Sequence, residues 1–277
     1  MPVLLLTGCM AAGFAGAGEA AEEKIAVDLE LQLAVDISGS IDADEARLQR
    51  EGYARAISDP AVVKAIQSGI NGRIAVSYFE WSDSYSQQDV FGWMLIQDQA
   101  SAEAVARRLI EFPIRTARRT SISGAILHAL PRFGSSPYKG LRRVLDISGD
   151  GPNNDGSPVD LARDQAVNAG IVINGLPIIN DRPNSWGFPV LKDLDRYYEG
   201  CVTGGPGSFV VVAESFETFF EAIRRKLILE VAALPARPET LPRHGPLVRI
   251  QRNAGYDKGC DIGERQSQDF WRRRYEQ

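Results

Sequence analysis

Between Leu29 and Val35 apolar and polar residues alternate and then run apolar, which predicts a strand entering the middle of a sheet. The strand ends in Asp36-Ile37-Ser38-Gly39-Ser40, a carboxylate and two hydroxyls at alternate positions. A helix is predicted directly afterwards, because Asp42 and Glu45 have the spacing of a capping box. It runs to about Ile57, and Pro60 starts a second, short helix. Residues 73–81 and 89–96 predict two strands, joined by a polar loop short enough for a hairpin, so this pair is antiparallel. Ser101 caps a helix through Glu111.

From there helices and strands alternate. A helix opens after Thr120 and reaches about Phe133; residues 143–148 form a strand. A helix over 158–169 precedes a nearly all-apolar strand over 170–179, the signature of burial on both faces. A helix over 190–198 and a last strand over 208–213 follow. Ser215 then caps a helix to about Val231, with Phe216, Phe219, Phe220, Ile223 and Leu227 in a core-facing stripe. The expected fold is α/β: a mainly parallel central sheet with one antiparallel edge strand and helices on both faces. Right-handed crossovers gather the parallel strand ends on one rim.

Composition changes this picture only at the ends. The chain has 277 residues, 44% hydrophobic and 24% charged, as in ordinary globular proteins. A formal net charge of -5 argues against a general nucleic-acid binder. After the start there is no apolar run long enough for a transmembrane helix. Residues 1–23 read as a signal peptide with Ala15-Gly16-Ala17 as a cleavage site, placing the protein in the periplasm or outside the cell. Leu6-Thr7-Gly8-Cys9 also resembles a lipobox, and in that alternative Cys9 carries a lipid anchor. Residues 25–232 form the domain, and the prolines from Pro235 onward mark 233–277 as a linker and C-terminal tail, with Arg272, Arg273 and Arg274 solvated. With Cys9 in the leader, Cys201 and Cys260 remain as a pair; they form a disulfide in an oxidising compartment, or stay as two unrelated thiols.

The chemistry concentrates on the rim. Asp36, Ser38 and Ser40 alternate along an extended segment, so their oxygens can converge. Thr120 begins a helix after a basic loop, and Asp150 leaves the strand expected beside the first. Five hard oxygen donors suit Mg²⁺, with Mn²⁺ as the alternative. Each group alone would read as a helix cap; the combination points to a metal.

This pattern, Asp36-x-Ser38-x-Ser40, then Thr120, then Asp150-Gly151, resembles the metal-ion-dependent adhesion site (MIDAS) of von Willebrand factor type A domains. More closely, the chain is similar to a bacterial family of exported von Willebrand A-like proteins of unknown function, through 48–53 (LQREGY), 80–82 (EWS), 148–154 (SGDGPNN) and 204–207 (GGPG). The resemblance implies direct metal contacts from Ser38 and Ser40, a direct or water-mediated one from Asp36, and exchange between the two modes for Thr120 and Asp150. Two departures stand out. Gly149 occupies a position where relatives more often carry Thr or Ser, and Arg118-Arg119 replace small residues before Thr120, with Ser121 and Ser123 as substitute ligands. The implied function is non-enzymatic: the metal accepts an acidic group from an unidentified protein partner at the bacterial envelope. Glu80, Trp81, Asn153, Asn154 and Asp181 share the expected rim as candidates for partner binding. The alternatives are an envelope-assembly or structural subunit with a vestigial site and, further off, a metal-dependent hydrolase.

Enzyme readings each lack a required part. A haloacid-dehalogenase-type phosphatase needs a carboxylate where Ser38 stands. Neither Ser38 nor Ser148 sits in a G-x-S-x-G elbow, and only His128 and His244 exist as bases. Asp146, inside an apolar strand, reads as a hydrogen-bonded structural residue.

Overall fold

The computed structural model describes residues 23–179, 189–215, 218–232, 248–250 and 255–276. The leader and Asp181 therefore lie outside the described residues. Strands β1 (Ile25–Asp36), β2 (Ile74–Trp81), β3 (Gln87–Ile96), β4 (Tyr138–Gly149), β5 (Val172–Pro177), β6 (Phe209–Val211) and β7 (Val248–Ile250) form one sheet in the order β3-β2-β1-β4-β5-β6-β7. The five strands β2, β1, β4, β5 and β6 run parallel. The β2–β3 hairpin is antiparallel as predicted. β7 adds a second antiparallel edge, so the expectation of one such edge, and of 208–213 as the last strand, is corrected. A strand of three residues carries too little alternation to be read from sequence.

Helices α1 (Ala43–Ile57), α2 (Pro60–Gln67), α3 (Gln99–Glu111) and α7 (Phe219–Ala232) cover one face; α4 (Ile122–Gly134) and α5 (Val159–Asn168) cover the other. The alternation in β1 explains both cores. Leu29, Leu31, Leu33 and Val35 pack with Tyr53 of α1, Leu109 of α3 and Phe219 and Ile223 of α7. The three leucines are fully buried, worth roughly 5–9 kcal/mol of transfer free energy, comparable with the net stability of a domain. The polar positions of β1 are buried too, each with a partner. Glu30 accepts from Gly140 N at 2.6 Å and Gln32 donates to Ala129 O at 2.9 Å. That anchors the strand whose end carries Asp36.

The predicted helix over 190–198 is shorter: α6 (Leu194–Tyr197) passes straight into a π-helical turn (Tyr198–Val202). That wide turn presents Gly200 to the tail so closely that a Cβ there would lie 2.7 Å from Tyr256 N. The tail is thus no free appendage. Beyond 233–247, which lie outside the described residues, β7 joins the sheet and α8 (Ile262–Tyr275) returns to the rim. Cys201 and Cys260 are disulfide-bonded. Tyr256 packs edge-on against Tyr197 at 5.6 Å, and Lys258 pairs with Asp193 at 2.8 Å. The three arginines expected to be a solvated tail occupy the exposed last turn of α8, where cations complement the helix dipole.

Candidate metal centre

β1 delivers Asp36 to the rim fully buried. The chain turns at once, because Asp36 Oδ1 accepts from Ser38 N at 2.7 Å and Ser38 O accepts from Ile41 N at 2.9 Å. Asp42 then caps α1 by accepting from Asp44 N and Glu45 N, while Glu45 returns a carboxylate to Asp42 N, which is the predicted capping box. The turn is pressed under the basic loop: Ala117 N donates to Ile37 O at 2.8 Å, and a Cβ on Gly39 would lie 3.1 Å from Ala117 O.

Neighbouring β4 ends at Gly149, and Asp150 follows. Ser40 Oγ donates to Asp150 Oδ1 at 2.6 Å, joining the two strand ends. Gly149 has a physical reason for departing from the family pattern. A Cβ there would stand 2.8 Å from Asp36 Oδ2 and 2.9 Å from the Tyr198 hydroxyl.

Thr120 is buried beside this pair and is held by Asn154, which accepts from Thr120 N at 3.1 Å and donates its own N–H to Thr120 O at 2.8 Å. Thr120 Oγ1 is 3.9 Å from the point a Cβ on Gly151 would occupy, next to Asp150. The substitutes Ser121 and Ser123 are committed elsewhere. Ser121 Oγ donates to Asp155 O at 2.8 Å and accepts from Gly124 N at 3.1 Å; Ser123 Oγ lies 3.4 Å from Ser121 Oγ, and Ser123 N donates to Asn153 Oδ1 at 3.0 Å. They fasten the loop after β4 to the start of α4.

The structure thus brings Asp36, Ser38, Ser40, Thr120 and Asp150 to one spot, and two of their oxygens have nothing to do there. Asp36 Oδ2 and Ser38 Oγ are buried without a hydrogen-bond partner. Buried polar atoms are rarely left so. Burial, reinforced by the Asp150 charge, holds the Asp36 carboxyl well above the usual carboxylate range. Burial likewise pushes Asp150 to about 6, against the favourable Ser40 hydrogen bond. The charged neighbour acting on Asp36 is another carboxylate, and on Asp150 it is Glu45 as well. A cation at this point would satisfy the orphaned oxygens and restore ionisation. The donor set fits one: two carboxylates with hydroxyls make a hard, oxygen-only site, and no group of three His, Cys, Asp or Glu gathers among the described residues.

The partner-binding rim needs correction. Glu80 is buried in an ion pair with Arg50, which also donates to Leu109 O, Phe112 O and Pro113 O. Trp81 is fully buried in the core. Asn153 is buried and spent, accepting from Ser123 N and donating to Ser157 O at 3.2 Å and Glu264 Oε1 at 2.7 Å. Topology placed these residues at the correct end of the sheet but said nothing about which way each side chain turns. Asn154 alone of the described four stays partly exposed, at a cavity mouth.

That cavity, about 490 Å³, was not foreseen. Ser40, Thr120 and Asp150 line it together with Arg118, Arg119, Leu191, and Phe270 and Trp271 of α8. Its sequence signal was the spacing of Trp271 and Tyr275, one helical turn apart, obscured by the arginines between them.

The family model described as "Protein of unknown function (DUF1194)" matches residues 26–235. No curated protein matches the sequence. Among solved structures, proximal thread matrix protein 1 from the mussel byssus, with a zinc-occupied MIDAS motif, is similar at 14% identity and a TM-score of 0.52, over 76% of this chain and 49% of that one. The pilus adhesin SpaC from Lactobacillus rhamnosus GG is similar at 13% identity and a TM-score of 0.53, over 74% of this chain and 31% of that one. The chain spans about half or less of these structures, and at such identities the likeness is one of fold.

Proposed function

We propose, for a chain that belongs to the DUF1194 family of proteins of unknown function, a divalent-metal-dependent binding module rather than an enzyme. Its fold is the von Willebrand factor A type. The observation that carries the reading is the pair of buried, unpartnered oxygens, Asp36 Oδ2 and Ser38 Oγ, beside the Ser40–Asp150 hydrogen bond.

Ser38 and Ser40 would hold the cation directly, Asp36 directly or through water, and Thr120 and Asp150 would complete the set. The cation supplies a Lewis-acidic position that a ligand's carboxylate can occupy. Mg²⁺ is the physiological choice because every donor is a hard oxygen; Mn²⁺ is its spectroscopic substitute. The chain's own contribution is rigidity. The loop from Ala117 to Thr120 is tied to Ile37 and Asn154, so the oxygens are set before any ligand arrives.

The reading also places the protein outside the cytoplasm of a bacterium. The Cys201–Cys260 disulfide belongs to an oxidising compartment, and the leader reads as an export signal. No helix among the described residues is long and apolar enough to cross a membrane. Acid–base catalysis finds little support: His128 contacts Asp89 of β3 and Arg132 of its own helix, and contributes nothing to the metal centre.

The test is a thermal melt with Mg²⁺, Mn²⁺ or EDTA, on wild type and Asp36→Ala. Stabilisation by either metal, erased by EDTA and absent in the variant, is expected. A melting temperature indifferent to metal in the wild type would refute the reading and favour an assembly subunit with a dead site.

A further inference from the structure

Asp150, Ser40 and Thr120 do not open onto a flat surface. They line a cavity of about 490 Å³ that is also lined by Phe270, Trp271 and Tyr275 of α8. This volume lies within the range of small-ligand pockets, about 300–1,000 Å³. The aromatic wall is coherent: Phe270 and Trp271 meet edge-on at 5.3 Å, and Trp271 and Tyr275 stack at 6.0 Å. Leu191 adds an aliphatic side chain to the same lining.

The wall is fixed in place. Glu264 accepts from Asn153 Nδ2 at 2.7 Å. Gly263 sits so tightly on the loop after β4 that a Cβ would lie 2.0 Å from Asn153 O, so the first turn of α8 tolerates no side chain there. Just upstream, the disulfide ties Cys260 to Cys201. A ligand that reaches Ser40, Thr120 and Asp150 through this cavity therefore also meets α8.

We infer that the site takes a compact amphipathic acid: one carboxylate bound at the metal centre, and an apolar or aromatic body held between Leu191 and the Phe270–Trp271 face of α8. This rests on the metal-binding reading above and adds the ligand's class and the role of α8. The polar lining comes from Ser40, Thr120 and Asp150, joined by Arg118, Arg119 and Asn154, and the apolar lining from Leu191, Phe270 and Trp271, so a carboxylate alone would leave the apolar lining unused. A free organic acid and the carboxyl terminus of a peptide with an apolar last residue present the same chemistry.

The test uses the full oxidised chain and isothermal titration. Mn²⁺ is titrated first. The Mn²⁺-loaded protein then receives acetate, 3-phenylpropionate, and a short peptide ending in phenylalanine with a free or amidated terminus. We expect 3-phenylpropionate to bind at least about tenfold tighter than acetate, since partial burial of a phenyl ring is worth that factor. The preference should collapse to within about twofold in Trp271→Ala and return in Trp271→Phe, with melting temperatures showing that both variants are folded. Tighter binding of the free-ended peptide assigns the source to a polypeptide terminus; tighter binding of the free acid assigns it to a small molecule; either supports the pocket. Mn²⁺ binding with equal affinity for acetate and 3-phenylpropionate, or a preference that survives Trp271→Ala, overturns the inference and leaves the metal reading standing. Absence of Mn²⁺ binding overturns both.

Discussion

Two clusters of buried carboxylates lie on neighbouring strands, and they are neutralised in different ways. On β4, Asp146 faces Lys226 of α7 at 3.0 Å, and Lys226 also holds Glu230 at 2.6 Å. Asn174 of β5 donates to the same Glu230 oxygen at 2.8 Å and accepts from Phe209 N at 2.9 Å, and the lysine sits 4.7 Å over the Phe209 ring. Burial pushes Asp146 to about 7, while the two carboxylates raise the Lys226 pKa above its ordinary value despite burial. At the rim, Asp36 is fully buried and Asp150 partly so, and the charges that act on them are negative. One cluster carries its cation as a side chain; the other has donors in excess. Buried charge in a fold needs neutralising, and where the chain does not encode a counter-charge a proton or a cation from solvent does it.

The largest effect expected is at the self-sufficient cluster. Lys226→Met leaves Asp146 and Glu230 facing each other and should cost about 3–5 kcal/mol in urea unfolding, with or without metal. Next comes the rim. Saturating Mg²⁺ should stabilise the wild type by about 2.7 kcal/mol at a hundredfold excess over Kd. Asp36→Ala should abolish that gain and cost the metal-free protein less than Lys226→Met does, because the lost hydrogen bond from Ser38 N is offset by removal of a buried carboxylate with no counter-charge. If Asp36→Ala cost as much as Lys226→Met in EDTA, the contrast would fail, for Asp36 would then have an internal counter-charge. Gly149→Ala tests the fit between the strand ends. Its Cβ, 2.8 Å from Asp36 Oδ2, should cost about 1–3 kcal/mol by melting and shift the Mn²⁺ titration to higher concentration. The smallest effect belongs to a carboxylate that water already serves. Asp89, 43% exposed, pairs with Arg132, and Asp89→Asn should change stability by no more than about 1 kcal/mol.

The first half of the site was legible because it is local. Alternation from Leu29 to Val35 announced a buried strand, and Asp42 with Glu45 announced the helix beyond, so the turn between them had one place to go. Asp150 followed from the same reasoning on β4. Asp146 read correctly as structural, but its partner Lys226 lies eighty positions along the chain, beyond the reach of any local pattern. The same holds for Asn153. Within its own polar stretch it looks like a surface loop residue, and it is buried because α8 returns from more than a hundred positions later. The docking of the tail was legible only in part. The Cys201–Cys260 pair was visible in the cysteine count, but prolines and arginines dominate the composition, and the other contacts that hold the segment are one glycine and one glutamate.

The order of synthesis gives the Cys201–Cys260 bond a further meaning. Asp36, Ser40, Thr120 and Asp150 all precede Cys260 and α8 in the chain, so synthesis makes the candidate oxygens before the segment that walls them. The oxygens can thus come together while that side is still open to solvent. The disulfide then fastens the base of the aromatic wall covalently, beside the Asn153–Glu264 hydrogen bond that also holds it. Removing that tie would touch none of the five candidate oxygens, so the wall and the oxygens are built by separate bonds.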